Sequence, residues 1–258
     1  VFLFLMMAGG ATVFIALAQT VFSPPNPDGG ISAAFARAYV GAEEFSGDWL
    51  CTLARIHLAT PELLYHAIWF MTLGLYLRGR IGLAVAGVAL ELYAHPFTGP
   101  ALALVVSLMC VCDLALGTDR RTKAFALAGV IVLVCLFTGY ISWLNLDAGH
   151  RALQATWERF LAVIPFRRYV HVFGVWLPLG LAGAILAART LKEQAAVRCV
   201  ILQGLVVFAL MNHHLYLPRM IQPAHFARGY LFTSLVILSF LLWSILRKRQ
   251  PGIRIAHG

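Results

Sequence analysis

Ala124 to Leu146 runs for 23 residues without one charged side chain. As a helix it would rise about 35 Å, more than the roughly 30 Å hydrocarbon core of a bilayer. Lipid offers the backbone no hydrogen-bond partner, so a segment like this must satisfy its own polar groups, as a helix does. The run is one of a series. Val1–Phe22, Pro61–Leu77, Ile81–Ala94, Ala101–Gly117, Val170–Ala188, Cys199–Leu217 and Tyr230–Leu246 are also apolar, which gives eight candidate spans. Composition agrees: 60% of the 258 residues are hydrophobic and 12% are charged. A soluble domain is nearer half apolar and a quarter charged. The expected fold is all-α, a single polytopic transmembrane bundle over residues 1–258. Its outer loops carry short interfacial helices.

Charge placement gives an orientation. The formal net charge is +9. The cations are scattered in short clusters between apolar runs, which argues against a nucleic-acid surface. Residues 78–80, 118–123, 189–198 and the tail after Leu246 hold twelve of the twenty Lys and Arg. These fall at every second connection, as the positive-inside rule requires. Both ends of the chain are then cytoplasmic, in a plasma or inner membrane. The connections at residues 23–60, 95–100, 147–169 and 218–229 face out. The chain opens on Val1, so the expectation is a fragment. Ala16-Leu17-Ala18 looks like a signal-peptidase site, but no basic region precedes it.

Two outer loops are long and patterned. Pro24 to Gly30 breaks any helix. Then Ile31, Phe35 and Tyr39, and again Trp49, Leu53 and Ile56, recur at helical spacing. These read as helices lying in the interface. Leu153, Trp157, Phe160, Leu161 and Ile164 mark a third. In Val170–Ala188, Pro178 predicts a kink. The five cysteines show no CxxC and read as packing residues. Intramembrane glycines read as helix contacts.

The polar side chains gather on the outer side. Glu91-Leu-Tyr-Ala-His95-Pro-Phe-Thr-Gly-Pro100 joins two apolar runs, and the first has only 14 residues. That is about 21 Å of helix, short of the bilayer core. Glu91 and His95 lie one turn apart on one face. They would sit below the membrane surface, where an ionisable residue is a functional hypothesis by default. The bland alternative is that His95-Pro96 only caps and stops a helix. His213, His214 and His225 offer imidazoles that suit zinc or a similar divalent ion. Neighbouring histidines on a helix point about 100° apart, which disfavours both reaching one metal. One packing and one facing a cavity is the simpler arrangement. Arg168 and Arg228 match phosphate oxygens, or snorkel to lipid head groups. Glu43, Glu44 and Asp48 offer a general base, or line a solvated loop. No Walker motif, dinucleotide fingerprint, GxSxG or HExxH occurs, and no cofactor is implied.

In these features the chain resembles GT-C-type membrane proteins, the superfamily of polyprenyl-phosphate-sugar-dependent glycosyltransferases. Three features carry the resemblance. One is the long outer loop with interfacial helices and carboxylates. Another is the helix pair joined by Arg78-Gly79-Arg80 and ending in His95-Pro96-Phe97-Thr98-Gly99. The third is the alternation of short inner with long outer loops. The likeness is architectural and covers most of the chain. It implies an acidic residue of the first outer loop as base, here Glu43, Glu44 or Asp48, although no DxD is present. It implies Arg168 and Arg228 on the carrier phosphate. Glu91, His95, His213, His214, Gln222 and His225 would then line the substrate cavity. The partners would be membrane lipid and a polyprenyl-phosphate-linked sugar. The competing expectations are a transporter, with Glu91, His95 and His213 as a proton or substrate path, and a non-catalytic lipid-binding protein. A transporter predicts access from both faces and an internal repeat. No repeat is visible, and the inner half offers only Asp113 as an intramembrane charge.

Overall fold

This computed structural model describes residues 60–158, 166, 169, 173–191, 193–217, 226 and 229–249. Among them all regular structure is helical, with no strand. The helices are α1 (Thr60–Leu77), α2 (Ile81–Ala94), α3 (Thr98–Ala115), α4 (Arg120–Leu144), α5 (Ala148–Glu158), α6 (Trp176–Thr190), α7 (Ala195–Met211) and α8 (Tyr230–Arg249). Three are long and apolar enough to cross a membrane: Thr98–Ala115, Arg120–Leu144 and Tyr230–Lys248. Shorter apolar helices cover Leu64–Leu77, Ile81–Ala94, Trp176–Thr190 and Ala195–Met211. The expected first span and the two interfacial helices before Thr60 lie outside the described residues.

The chain runs back and forth, so the connections gather at two ends. One end holds residues 78–80, 116–119, 191, 193 and 194, with Arg78, Arg80, Arg120, Arg121, Lys123 and Arg198 in or next to them; it is called the basic end. The other holds residues 95–97, 145–147 and 212–217, and is the histidine end. Both tight turns at the basic end are made by glycine. Gly79 (φ 73°) ends α1 and Gly117 (φ 77°) ends α3 in the left-handed region. In each case the next residue's N–H reaches five residues back, Arg80 to the Leu75 carbonyl at 2.9 Å and Thr118 to the Asp113 carbonyl at 3.0 Å. This is the Schellman closure, which needs a left-handed residue where glycine has no Cβ penalty.

α3 is the central helix. Leu102, Val105, Val106 and Met109 have no exposed surface, and α2, α4 and α7 pack around it. α4 covers this core with one edge only. Its Phe125, Ile131, Val132, Leu136 and Trp143 are exposed. So much contiguous apolar surface is foreign to a soluble protein and suits hydrocarbon. α6 packs closely on α8, backbone against backbone. A Cβ on Gly180 would meet Leu235 Cα at 2.8 Å, and one on Gly183 would overlap the Leu238 carbonyl. Small residues let helices approach this way where lipid supplies no hydrophobic drive.

Two elements depart from the sequence expectation. Pro178 does not kink α6. The helix starts at Trp176, so Pro178 sits in the first turn, where a missing N–H costs no intrahelical bond. The break falls earlier, at Gly174 (φ 55°). α3 begins at Thr98 rather than Ala101: the Thr-Gly-Pro read as turn is its first turn.

One polar residue sits among α1, α7 and α8. Gln203, on α7, accepts from Trp69 Nε1 at 3.1 Å. Its amide donates to the Tyr230 carbonyl and to Ser234 Oγ, both at 3.0 Å. Tyr230 stacks on Trp69 with ring centroids 4.0 Å apart.

Candidate functional site

At the histidine end, α2 and α3 meet in a very tight corner. His95 N–H closes α2 onto the Glu91 carbonyl at 2.9 Å, and the His95 carbonyl accepts from Gly99 N–H at 3.0 Å. Gly99 is obligatory here. Any Cβ would overlap the Leu92 backbone. Thr98 ties the corner's two ionisable residues together. Its hydroxyl donates to Glu91 Oε1 at 2.6 Å, and its backbone N–H donates to His95 Nδ1 at 3.2 Å. The second bond occupies one of the orphan amides at the start of α3. It also leaves Nε2 as the protonated ring nitrogen of the neutral imidazole. His95 is therefore a helix cap, as the simpler sequence reading had it, and is buried as well. Glu91 is 0% exposed. Both ends of the Glu91–His95 proposal thus meet at Thr98, which sequence spacing did not single out.

An aromatic chain extends from this corner. Tyr65 lies 4.5 Å from His95 by ring centroids, and Phe97 5.6 Å from it. Phe97 is edge-on to Phe226 at 6.0 Å, and Phe226 is edge-on to His213 at 5.5 Å. The structure therefore brings His95 and His213 into one cluster. His213 is buried, and its Nδ1 donates to the Leu210 carbonyl, so it packs. His214 is half-buried, and its Nδ1 is shielded from solvent with no hydrogen-bond partner. Among the described residues, no group of three His, Cys, Asp or Glu side chains could hold a metal. Glu43, Glu44, Asp48, Arg168, Gln222, His225 and Arg228 lie outside the described residues.

Comparison with known proteins finds no family model, curated protein or solved structure that matches the chain.

The basic end carries a second polar centre. Asp113, near the end of α3, is 4% exposed. Its Oδ2 pairs with Lys123 Nζ of α4 at 3.0 Å, and its Oδ1 with a terminal nitrogen of Arg198 of α7 at 2.8 Å. Tyr76 of α1 donates its hydroxyl to Oδ2 at 2.8 Å. Lys123 also lies over the Tyr76 ring, 3.9 Å from its centroid. One carboxylate thus joins four helices. A cleft of about 420 Å³ opens beside it, lined also by Gly79, Thr118, Glu193 and Ala195. Sequence reasoning noted Asp113 as a lone charge. It missed the partners because Lys123 reads as loop and Arg198 lies 85 residues away.

Proposed function

We propose that the chain is a multi-pass membrane protein of eight spans whose working face is the histidine end. There it would transfer a sugar from a polyprenyl-phosphate carrier to an acceptor hydroxyl. The observation that carries this reading is the wholly buried Glu91 carboxylate, held by Thr98 at a broken helix corner. Backbone broken at membrane depth survives where protein or a wet cavity surrounds it, and a carboxylate there marks function. The depth is supported by aromatic side chains. Tyr93, Tyr140 and Trp143 are exposed and adjacent at this end, as in the aromatic belt of a membrane–water boundary. Glu91 lies about 3 Å further along α2 from Tyr93, toward the bilayer centre. Alternating basic loops support a cytoplasmic basic end and an extracytoplasmic histidine end.

In the proposed reaction Glu43, Glu44 or Asp48 takes the acceptor's proton. The acceptor oxygen bonds to the sugar's anomeric carbon as that carbon's bond to the carrier phosphate breaks. Arg168 and Arg228 hold the departing phosphate. Glu91, His95, His214, Gln222 and His225 position the sugar, and His213 packs behind them. This assignment rests on the resemblance in architecture and on the corner's chemistry.

One observation favours transport instead: buried ionic groups stand at both ends of one bundle. The Asp113 cluster weighs against a through path, because its carboxylate clamps four helices together. Proteoliposomes containing the chain and a radiolabelled polyprenyl-phosphate sugar separate the readings. Label appearing in a new glycoside, and lost in Glu91→Gln and His95→Ala, supports transfer. Transfer unchanged in both variants removes the mechanism, and label crossing without a new bond establishes transport.

A further inference from the structure

The cleft at the basic end is outside the proposed sugar site and has its own chemistry. Two cations, Lys123 and Arg198, reach its wall from different helices. Both also hold Asp113, which leaves the buried cluster with one positive charge in excess, and Glu193 in the cleft's lining balances it. Lys123 carries three ammonium protons and Asp113 takes one direction of them. The first turns of two helices border the same cleft. α4 starts at Arg120 and α7 at Ala195, and neither has a side-chain cap. Uncapped first-turn amides and the positive dipole end favour an anion. Close in the chain to the lining residues Gly79 and Thr118, Arg78, Arg80, Arg120 and Arg121 are exposed. They outnumber the two nearby exposed acids, Asp119 and Glu193. With the lining residues counted, six cations stand in or beside the cleft against three acids, Asp113, Asp119 and Glu193.

The volume, about 420 Å³, falls in the range of small-molecule pockets. The mouth lies at the ends of apolar helices, level with lipid head groups if those helices span. Basic pockets between membrane helices on the cytoplasmic side bind anionic head groups. We propose that this cleft holds the phosphate of an anionic phospholipid from the leaflet at the basic end. Lys123 and Arg198 contact the phosphate oxygens, while the acyl chains lie along the exposed apolar face of α4. Bound lipid would brace α1, α3, α4 and α7 at the point where Asp113 joins them.

The full chain in dodecyl maltoside is titrated with phosphatidylglycerol, with phosphatidylcholine and with inorganic phosphate. Native mass spectrometry reads bound lipid, and thermal unfolding reads stabilisation. Phosphatidylglycerol is expected to bind and raise Tm, and phosphatidylcholine to do neither. Lys123→Gln keeps Asp113 paired with Arg198 and Tyr76, so it should fold. Loss of one charge-assisted bond should weaken phosphatidylglycerol about tenfold. The surface pair Arg78→Gln and Arg120→Gln, which touches no buried partner of Asp113, should weaken it as well. Asp113→Asn should act oppositely: it lowers Tm in detergent alone but tightens the lipid, because positive charge rises. A purely structural cluster would not produce that split. Equal binding of both lipids, or unchanged phosphatidylglycerol affinity in Lys123→Gln, overturns the proposal. Equal stabilisation by inorganic phosphate alone overturns the lipid as its source.

Discussion

Replacing Asp113 by asparagine tests the energetics of the four-helix junction directly. The native carboxylate has a cation on each oxygen, at 3.0 Å and 2.8 Å. At an effective dielectric of about 20, charges this close attract by about 5 kcal/mol per pair before desolvation is counted. The amide keeps an acceptor for one cation and turns an NH₂ toward the other. The side chains of Lys123 and Arg198 are only 10% and 16% exposed, so water relieves little of the strain. Removing one partner of a buried ion pair costs about 3–5 kcal/mol, and that is the expected loss for Asp113→Asn. Adding Lys123→Gln to it returns the local charge to its native value, and about half of the loss should come back. The assay is unfolding by dodecyl sulfate in mixed dodecyl maltoside micelles, followed by tryptophan fluorescence. A single-variant loss below about 1 kcal/mol, or a double variant no more stable than the single, would refute the reasoning. The cluster would then be a solvated ion pair rather than a buried junction.

Further outcomes follow from close packing within the bundle and at its histidine-end corner. Gly183→Ala places a methyl into the Leu238 carbonyl and should cost about 1–3 kcal/mol by pushing α6 off α8. Gly82→Ala, whose Cβ meets nothing within 4 Å, should be neutral or stabilising by up to about 1 kcal/mol, and thermal unfolding of the pair reads the contrast. Thr98→Val removes the hydroxyl that donates to Glu91 and should destabilise the corner by about 1.5–3 kcal/mol. Thr98→Ser should restore it, in unfolding and in the sugar-transfer assay alike.

Apolar runs made the helices readable, because their lengths and boundaries follow from what lipid forbids. The bounds of α2, Ile81–Ala94, stood in the sequence because Arg80 precedes the run and His95-Pro96 follows it. Boundaries set by backbone geometry were less legible. Thr98, Gly99 and Pro100 are turn formers by composition, yet they build the first turn of α3. They can because Gly99 admits the Leu92 backbone and His95 caps the Thr98 amide. Pro178 predicted a kink, but a proline disturbs only an interior turn, and Gly174 had already ended the preceding segment. Side-chain partnerships across the bundle were least legible. The Glu91 and His95 spacing was visible, but the threonine linking them was not. Asp113 was visible as an oddity, while its two cations belonged to stretches that looked like loop and loop edge. Charge pairing between distant helices leaves no periodic trace in a chain.

Gln203 bears on how such a bundle keeps its register. Leucine and valine faces in oil fit one another at many rotational settings, with little to choose among them. A carboxamide has a sense of direction: its oxygen must find a proton and its nitrogen must find lone pairs. With the Trp69 indole on one side and α8 on the other, turning α7 by a single residue would strand all three bonds in a medium that cannot replace them. Together with the Arg198–Asp113 pair nearer the basic end, this side chain selects one azimuth for a helix whose apolar contacts are nearly indifferent to it.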